Sequence, residues 1–194
     1  ATMLKGLAEA GVLDNLGLPQ MMEGMASGNM AMQLNSSALN AYLVAAAKDK
    51  YELRAAPEPS FGDAPAVPTN SGSALFILTR DAAKQRAAWE LMKFLSSERG
   101  YTIITSEIGY LPLRPAIVDD ARYLRDYADT HPVVRLNLGQ LPRIRPWVSM
   151  PGANYRQIQK MMMDGVEEAV FGEGDVAAAL TAAQEQAQAL IPQN

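Results

Sequence analysis

Five basic side chains, Arg135, Arg143, Arg145, Arg156 and Lys160, fall between Pro132 and Met163 with no Asp or Glu among them, in a chain of 194 residues whose formal charge is -4. Guanidinium groups in such a stretch can give parallel N–H bonds to a phosphate or carboxylate without a neighbouring acid in the sequence competing for them. The chemistry on offer is capture of an anionic group. A solvated basic surface is the plainer reading, and charge alone favours it. The stretch is sharply bounded, because six acids and no base follow Lys160.

Bond-making chemistry finds little support. His131 is the single histidine and precedes Pro132 in a turn, with no G-x-S-x-G elbow to accompany it. No H-E-x-x-H, Walker loop or G-x-G-x-x-G occurs, and Gly172-Glu173-Gly174 reads as a helix-ending turn. The pairs Asp119-Asp120 and Glu167-Glu168 fall on helical patterns, where a solvated face explains them. The absence of cysteine removes thiolate metal sites, disulfides and cysteine nucleophiles together. The residues therefore predict no catalytic set, no metal and no cofactor. The acidic balance argues against nucleic acid, which asks for a broad basic face. What remains are small polar loops at strand ends and helix starts, such as Ser36 and Ser37, where hydroxyls and free N–H groups can receive a ligand.

The elements that must position these residues follow from periodicity. The opening residues read as the last turns of an amphipathic helix stopped by Gly11, and Pro19 to Ser27 as a short Met-rich helix closed by Gly28. Met30–Leu34 alternates like a strand, and Ser37 is placed to cap a helix from Ala38 to about Lys48. Tyr51–Ala55 reads as a second strand. Four prolines then make a loop up to Thr69, and Asn70-Ser71-Gly72-Ser73 leads into Ala74–Thr79, an apolar run of the kind covered on both faces of a sheet.

Asp81 caps a helix carrying Ala88, Leu91, Met92 and Leu95 on one side, and Ser96-Ser97-Glu98 starts another that Gly109 ends before Tyr110-Leu111-Pro112-Leu113. Asp119 to Thr130 reads as helix. Ile158, Met161, Met162, Gly165, Val166, Ala169 and Val170 form an apolar stripe, and Asp175 caps a final helix closed by Pro192. With 48% hydrophobic and 20% charged residues, one domain or two small ones can bury a core. No apolar run is long enough for a transmembrane helix, and the start, without an initiator Met or signal-peptide pattern, suggests that a longer protein begins upstream.

GNMAMQLNSSA, NSGSALFIL and AAWELMKFLSSERGYTIITSEIGYLPLRPA resemble, in order and spacing, the second half of family 1 extracellular solute-binding proteins of ABC importers. Within that family, LNLGQLPRIR is most similar to the binding proteins for sn-glycerol 3-phosphate and its diesters. The resemblance implies an α/β fold of the periplasmic-binding-protein type II class, two lobes with hinge crossings, here a helix-rich C-terminal fragment. Residues 1–73 and 116–194 would belong to the C-terminal lobe, and 74–115 would return to the N-terminal lobe.

Carried over residue by residue, the resemblance implies ligand contacts from Ser36 or Ser37 (hydroxyl), Gly72 (backbone N–H), Tyr110 (hydroxyl) and Arg145 (phosphate). Asn137 departs from the subfamily, which has a basic residue there. Trp147 either stacks on a sugar ring or packs against the last helices. The expected protein is a non-enzymatic, extracytoplasmic or periplasmic substrate-binding component. Its partners would be a small polar or phosphorylated ligand and the membrane subunits of an ABC permease, with no nucleic acid. A neutral sugar or oligosaccharide is the alternative ligand, and a fragment of such a fold is expected to self-associate through exposed apolar faces. Two other classes compete: a hydrolase using Ser37 or Ser73 with His131, and a helical module docking an acidic partner.

Overall fold

Capping side chains fix where several helices of this chain begin, and those signals are local. The computed structural model describes residues 1–70 and 72–192, so the Ser71 step of the Asn70–Ser73 loop and the last two residues lie outside the described residues. Helices α1 (Thr2–Glu9), α2 (Leu18–Ser27), α3 (Asn40–Ala47), α4 (Ala82–Leu95), α5 (Glu98–Glu107), α6 (Arg125–Thr130), α7 (Pro132–Leu138), α8 (Tyr155–Phe171) and α9 (Val176–Ala189) carry the fold. Asp81 and Asp175 each accept a bond of 2.9 Å from a backbone N–H three residues on, at Lys84 and Ala178. Ser97 accepts one of 3.1 Å from Gly100.

The strand expectations fail at three places. Met30–Leu34, Tyr51–Ala55 and Ala74–Thr79 are irregular, and the one ladder among the described residues is a parallel pair of β1 (Thr69–Asn70) and β2 (Arg145–Pro146). A strand exists only by pairing with another, and these segments meet none here. Their side chains are correspondingly uncovered, with Met32 86%, Phe76 78% and Leu78 90% exposed. Two further expectations are corrected. Ser36, not Ser37, caps the turn after Asn35, because its Oγ accepts from Ala38 N at 3.3 Å and a 3-10 turn over Ser37–Leu39 precedes α3. The Asp119–Thr130 pattern is split between a 3-10 turn ending at Asp119 and α6, with the intervening turn held by Leu124 N–H donating to Ile117 O at 3.1 Å.

The chain divides into two units. In the first, whose described residues are 1–17 and 148–192, α1, α8 and α9 pack around the buried Ile158, Ala169, Val170 and Ala187. Gly165 lets α8 and α9 close, since a Cβ there would overlap Ala183 Cβ. The expected stripe on α8 is realised except at Met162 and Val166, which stay 43% and 46% exposed. No described helix is long and apolar enough to cross a membrane.

The other unit, residues 18–147, carries a buried cluster of Ile117, Val118, Leu124, Ala128 and Val134, with Tyr101, Tyr123 and Tyr127 against it. This cluster anchors α6 and α7. The chain leaves α7 through Gly139 and a 3-10 turn over Leu141–Arg143, and so reaches β2 with the Arg145 backbone fixed.

Candidate functional site

The sequence isolates five cations, and the structure sorts them. Arg135 donates to Asp119 at 2.7 Å and to Asp129 at 2.9 Å, and those hydrogen bonds, the one to Asp119 foremost, push its guanidinium above its ordinary range. Lys160 pairs with Asp164 one turn along α8 at 2.6 Å. Arg156 donates to the Tyr155 hydroxyl at 2.9 Å and lies against that ring. The stretch is acid-free in sequence but not in space, because Asp119, Asp129 and Asp164 all come from outside it. Arg143 and Arg145 are the two arginines of the five cations that meet neither a carboxylate nor a tyrosine among the described residues. Arg145 is exposed and reaches only the adjacent carbonyl of Ile144, at 3.3 Å.

What fixes Arg145 is its backbone. Its N–H donates to Pro68 O at 2.9 Å, and Trp147 N–H donates to Asn70 O at 3.0 Å, which makes the parallel ladder β1–β2. Gly72 follows β1 after Ser71, exposed and with open space where a side chain would stand. Trp147 is 57% exposed, so packing leaves most of the indole free. Arg145 and Trp147 thus lie at one ladder, and Gly72 comes two residues after its β1 strand.

Gln140 braces the same region, and sequence reasoning missed it. Its Oε1 accepts from Glu58 N at 3.2 Å and its Nε2 donates to Asn137 Oδ1 at 3.2 Å, tying the proline-rich loop before β1 to the end of α7. Asn137, the departure from the expected basic residue, is therefore part of that brace. No local signal could have found this contact, since Glu58 is distant along the chain.

Ser36, Ser37 and Tyr110 form the second group. Ser36 N–H donates to Asn35 Oδ1 at 2.8 Å, while the Ser37 hydroxyl makes no hydrogen bond among the described residues. The loop after α5 runs against this turn: Ala41 N–H donates to Ile108 O at 3.4 Å, and a Cβ on Gly109 would overlap the Ser37 carbonyl oxygen. Tyr110 follows, 36% exposed, its hydroxyl likewise unbonded among the described residues. Among those residues no hydrogen bond joins this group to the ladder group.

Two hollows lie elsewhere. A cavity of about 360 Å³ is lined by Asn15, Asp164, Glu167, Glu168, Phe171 and Gly172, and three carboxylates give it the wrong sign for an anion. A second, of about 300 Å³, is lined by Asp119 and Arg135 with apolar residues, and there the guanidinium is occupied by the carboxylate. Among the described residues no group of acids and histidine is arranged to hold a metal.

Comparison with known proteins gives two findings. A family profile described as bacterial extracellular solute-binding protein matches residues 2–129. Among solved structures, UgpB from Mycobacterium tuberculosis, crystallised in complex with glycerophosphocholine, matches with a TM-score of 0.71 at 27% identity, over 87% of this chain and 42% of that one. The chain thus spans less than half the length of that protein. No curated protein matches it.

Proposed function

The chain belongs to the bacterial extracellular solute-binding protein family, and from that premise we propose that it forms part of the substrate-binding component of an ABC importer whose ligand is sn-glycerol 3-phosphate or a glycerophosphodiester. The observation that carries the choice of ligand is Arg145 on the β1–β2 ladder, which meets no carboxylate among the described residues. Arg135 and Lys160 are neutralised by carboxylates, whereas Arg145 is held by its main chain with its guanidinium exposed. A planar guanidinium so presented can give two N–H bonds to phosphate oxygens, which a point charge cannot. The glycerophosphocholine complex of UgpB supports the same ligand class.

In this reading the protein makes and breaks no bond. Ligand capture orders Arg145 against the phosphate, Tyr110 and Ser36 or Ser37 supply hydroxyls, and Gly72 supplies a backbone N–H. Closure of two lobes around the ligand excludes water and strengthens each charged contact. Residues 1–73 and 116–194 contribute to one lobe and 74–115 to the other, and membrane subunits of the permease take the ligand onward. The site of action is extracytoplasmic.

Trp147 supports a second reading. An indole 57% exposed beside β2 offers a stacking face for a neutral sugar ring. Calorimetric titration of the natural-length protein with glycerophosphocholine, sn-glycerol 3-phosphate and a neutral disaccharide separates the two. Binding of the phosphorylated compounds alone supports the first reading, and binding of the disaccharide alone replaces it with the second.

A further inference from the structure

We propose that Gly109 is a positioning residue that sets the spacing between Ser37 and Tyr110, so that their hydroxyls act on the ligand as one unit. This rests on the reading of the protein as a solute-binding component that uses those two side chains.

Three constraints meet at this glycine. Its φ of 112° lies in the half of backbone space that L side chains rarely adopt. A Cβ there would overlap the Ser37 carbonyl oxygen and stand 2.9 Å from Asn40 Cβ. That carbonyl is already the acceptor for the Asn40 N–H, so it cannot move without loosening the turn that carries Ser37. On the other side, the Ile108 carbonyl accepts from Ala41 N at 3.4 Å, and Gly109 itself is buried. The peptide before Tyr110 is thus pinned to the turn after Ser36 by close contact and by a hydrogen bond.

Gly11, Gly28 and Gly62 also have positive φ, at 70°, 79° and 57°, but nothing lies within 4 Å of where a Cβ on any of them would stand, so they serve only the local turn. Gly109 differs because two separate loops, both carrying proposed ligand groups, converge on the space its missing side chain leaves. An alanine there must push the two loops apart, and the hydroxyls with them. A displacement of the order of one ångström is enough to break alignment toward a single ligand group.

The test is a set of glycerophosphocholine titrations on the natural-length protein, with thermal unfolding followed in parallel. Gly109→Ala is expected to weaken binding about tenfold or more, the loss of one hydrogen bond to a charged group. Gly28→Ala carries a comparable backbone penalty with no close neighbour, and is expected to lower the unfolding temperature while leaving affinity unchanged. Equal affinity losses from the two variants would overturn the proposal. If Gly109→Ala does not fold, the cycle Ser37→Ala, Tyr110→Phe and the double variant still decides. Acting as one unit, the double variant loses about as much affinity as the worse single variant, whereas a loss equal to the product of the two overturns the proposal. Absence of glycerophosphocholine binding by the unmodified protein overturns the functional reading and this inference together. Additive losses with intact wild-type binding overturn the inference alone.

Discussion

At the residue scale, affinity in this account concentrates on a cation that meets no carboxylate among the described residues. Arg135, exposed and paired twice, belongs to the surface. Arg135→Ala is expected to leave stability almost unchanged, as for other solvent-exposed ion pairs, with no change in ligand affinity. Denaturant unfolding and titration side by side check both halves of that statement. Gln33 offers a second residue-scale prediction, because both ends of its amide are buried without a partner among the described residues. An unsatisfied buried amide is costly, so Gln33→Met is expected to raise stability by about 1 kcal/mol. A stability loss on that substitution would show that the amide has a partner in solution. The LPRIR motif makes Arg145 legible in the sequence through resemblance. Its distance from carboxylates is not legible there, because the acids that occupy Arg135 lie outside the acid-free stretch.

At the element scale, local signals translate well and non-local ones do not. Asp81, Ser97 and Asp175 cap their helices as their positions suggest, since a cap needs only residues within one turn. Ser37 stands where a cap is expected, but its predecessor takes the role, because the chain inserts a 3-10 turn before α3. The three expected strands depend on partners elsewhere, and sequence pattern cannot supply a ladder. The convergence of Gly109 on Ser37 is invisible in the sequence for the same reason, although Gly109 is legible as a helix stop. Two substitutions test element packing. Asp175→Ala should cost about 1 kcal/mol by removing the cap of α9. Gly165→Val should cost about 1–3 kcal/mol, because its side chain must displace Ala183 between α8 and α9. Thermal unfolding reads both, and a neutral Gly165→Val would mean that the two helices are not closely packed there.

At the scale of the whole molecule, the chain spans 42% of UgpB, and several apolar segments stand uncovered. Leu75, Phe76 and Leu78 are 56%, 78% and 90% exposed in a run without charge, a composition prone to pairing with other strands. The 194-residue chain alone is expected to self-associate, and Phe76→Lys with Leu78→Glu to reduce that association. Sedimentation velocity measures it, and a monomer at all concentrations would count against the exposure of that run.

The central claim, that Arg145 binds the phosphate of a glycerol phosphate compound, is tested most directly by titrating glycerophosphocholine into the natural-length protein and its Arg145→Ala and Arg135→Ala variants. The account predicts tight binding by the unmodified protein, the same affinity in Arg135→Ala, and a loss of about tenfold to a hundredfold in Arg145→Ala, as for hydrogen bonds to a charged group. Unchanged affinity in Arg145→Ala would contradict it.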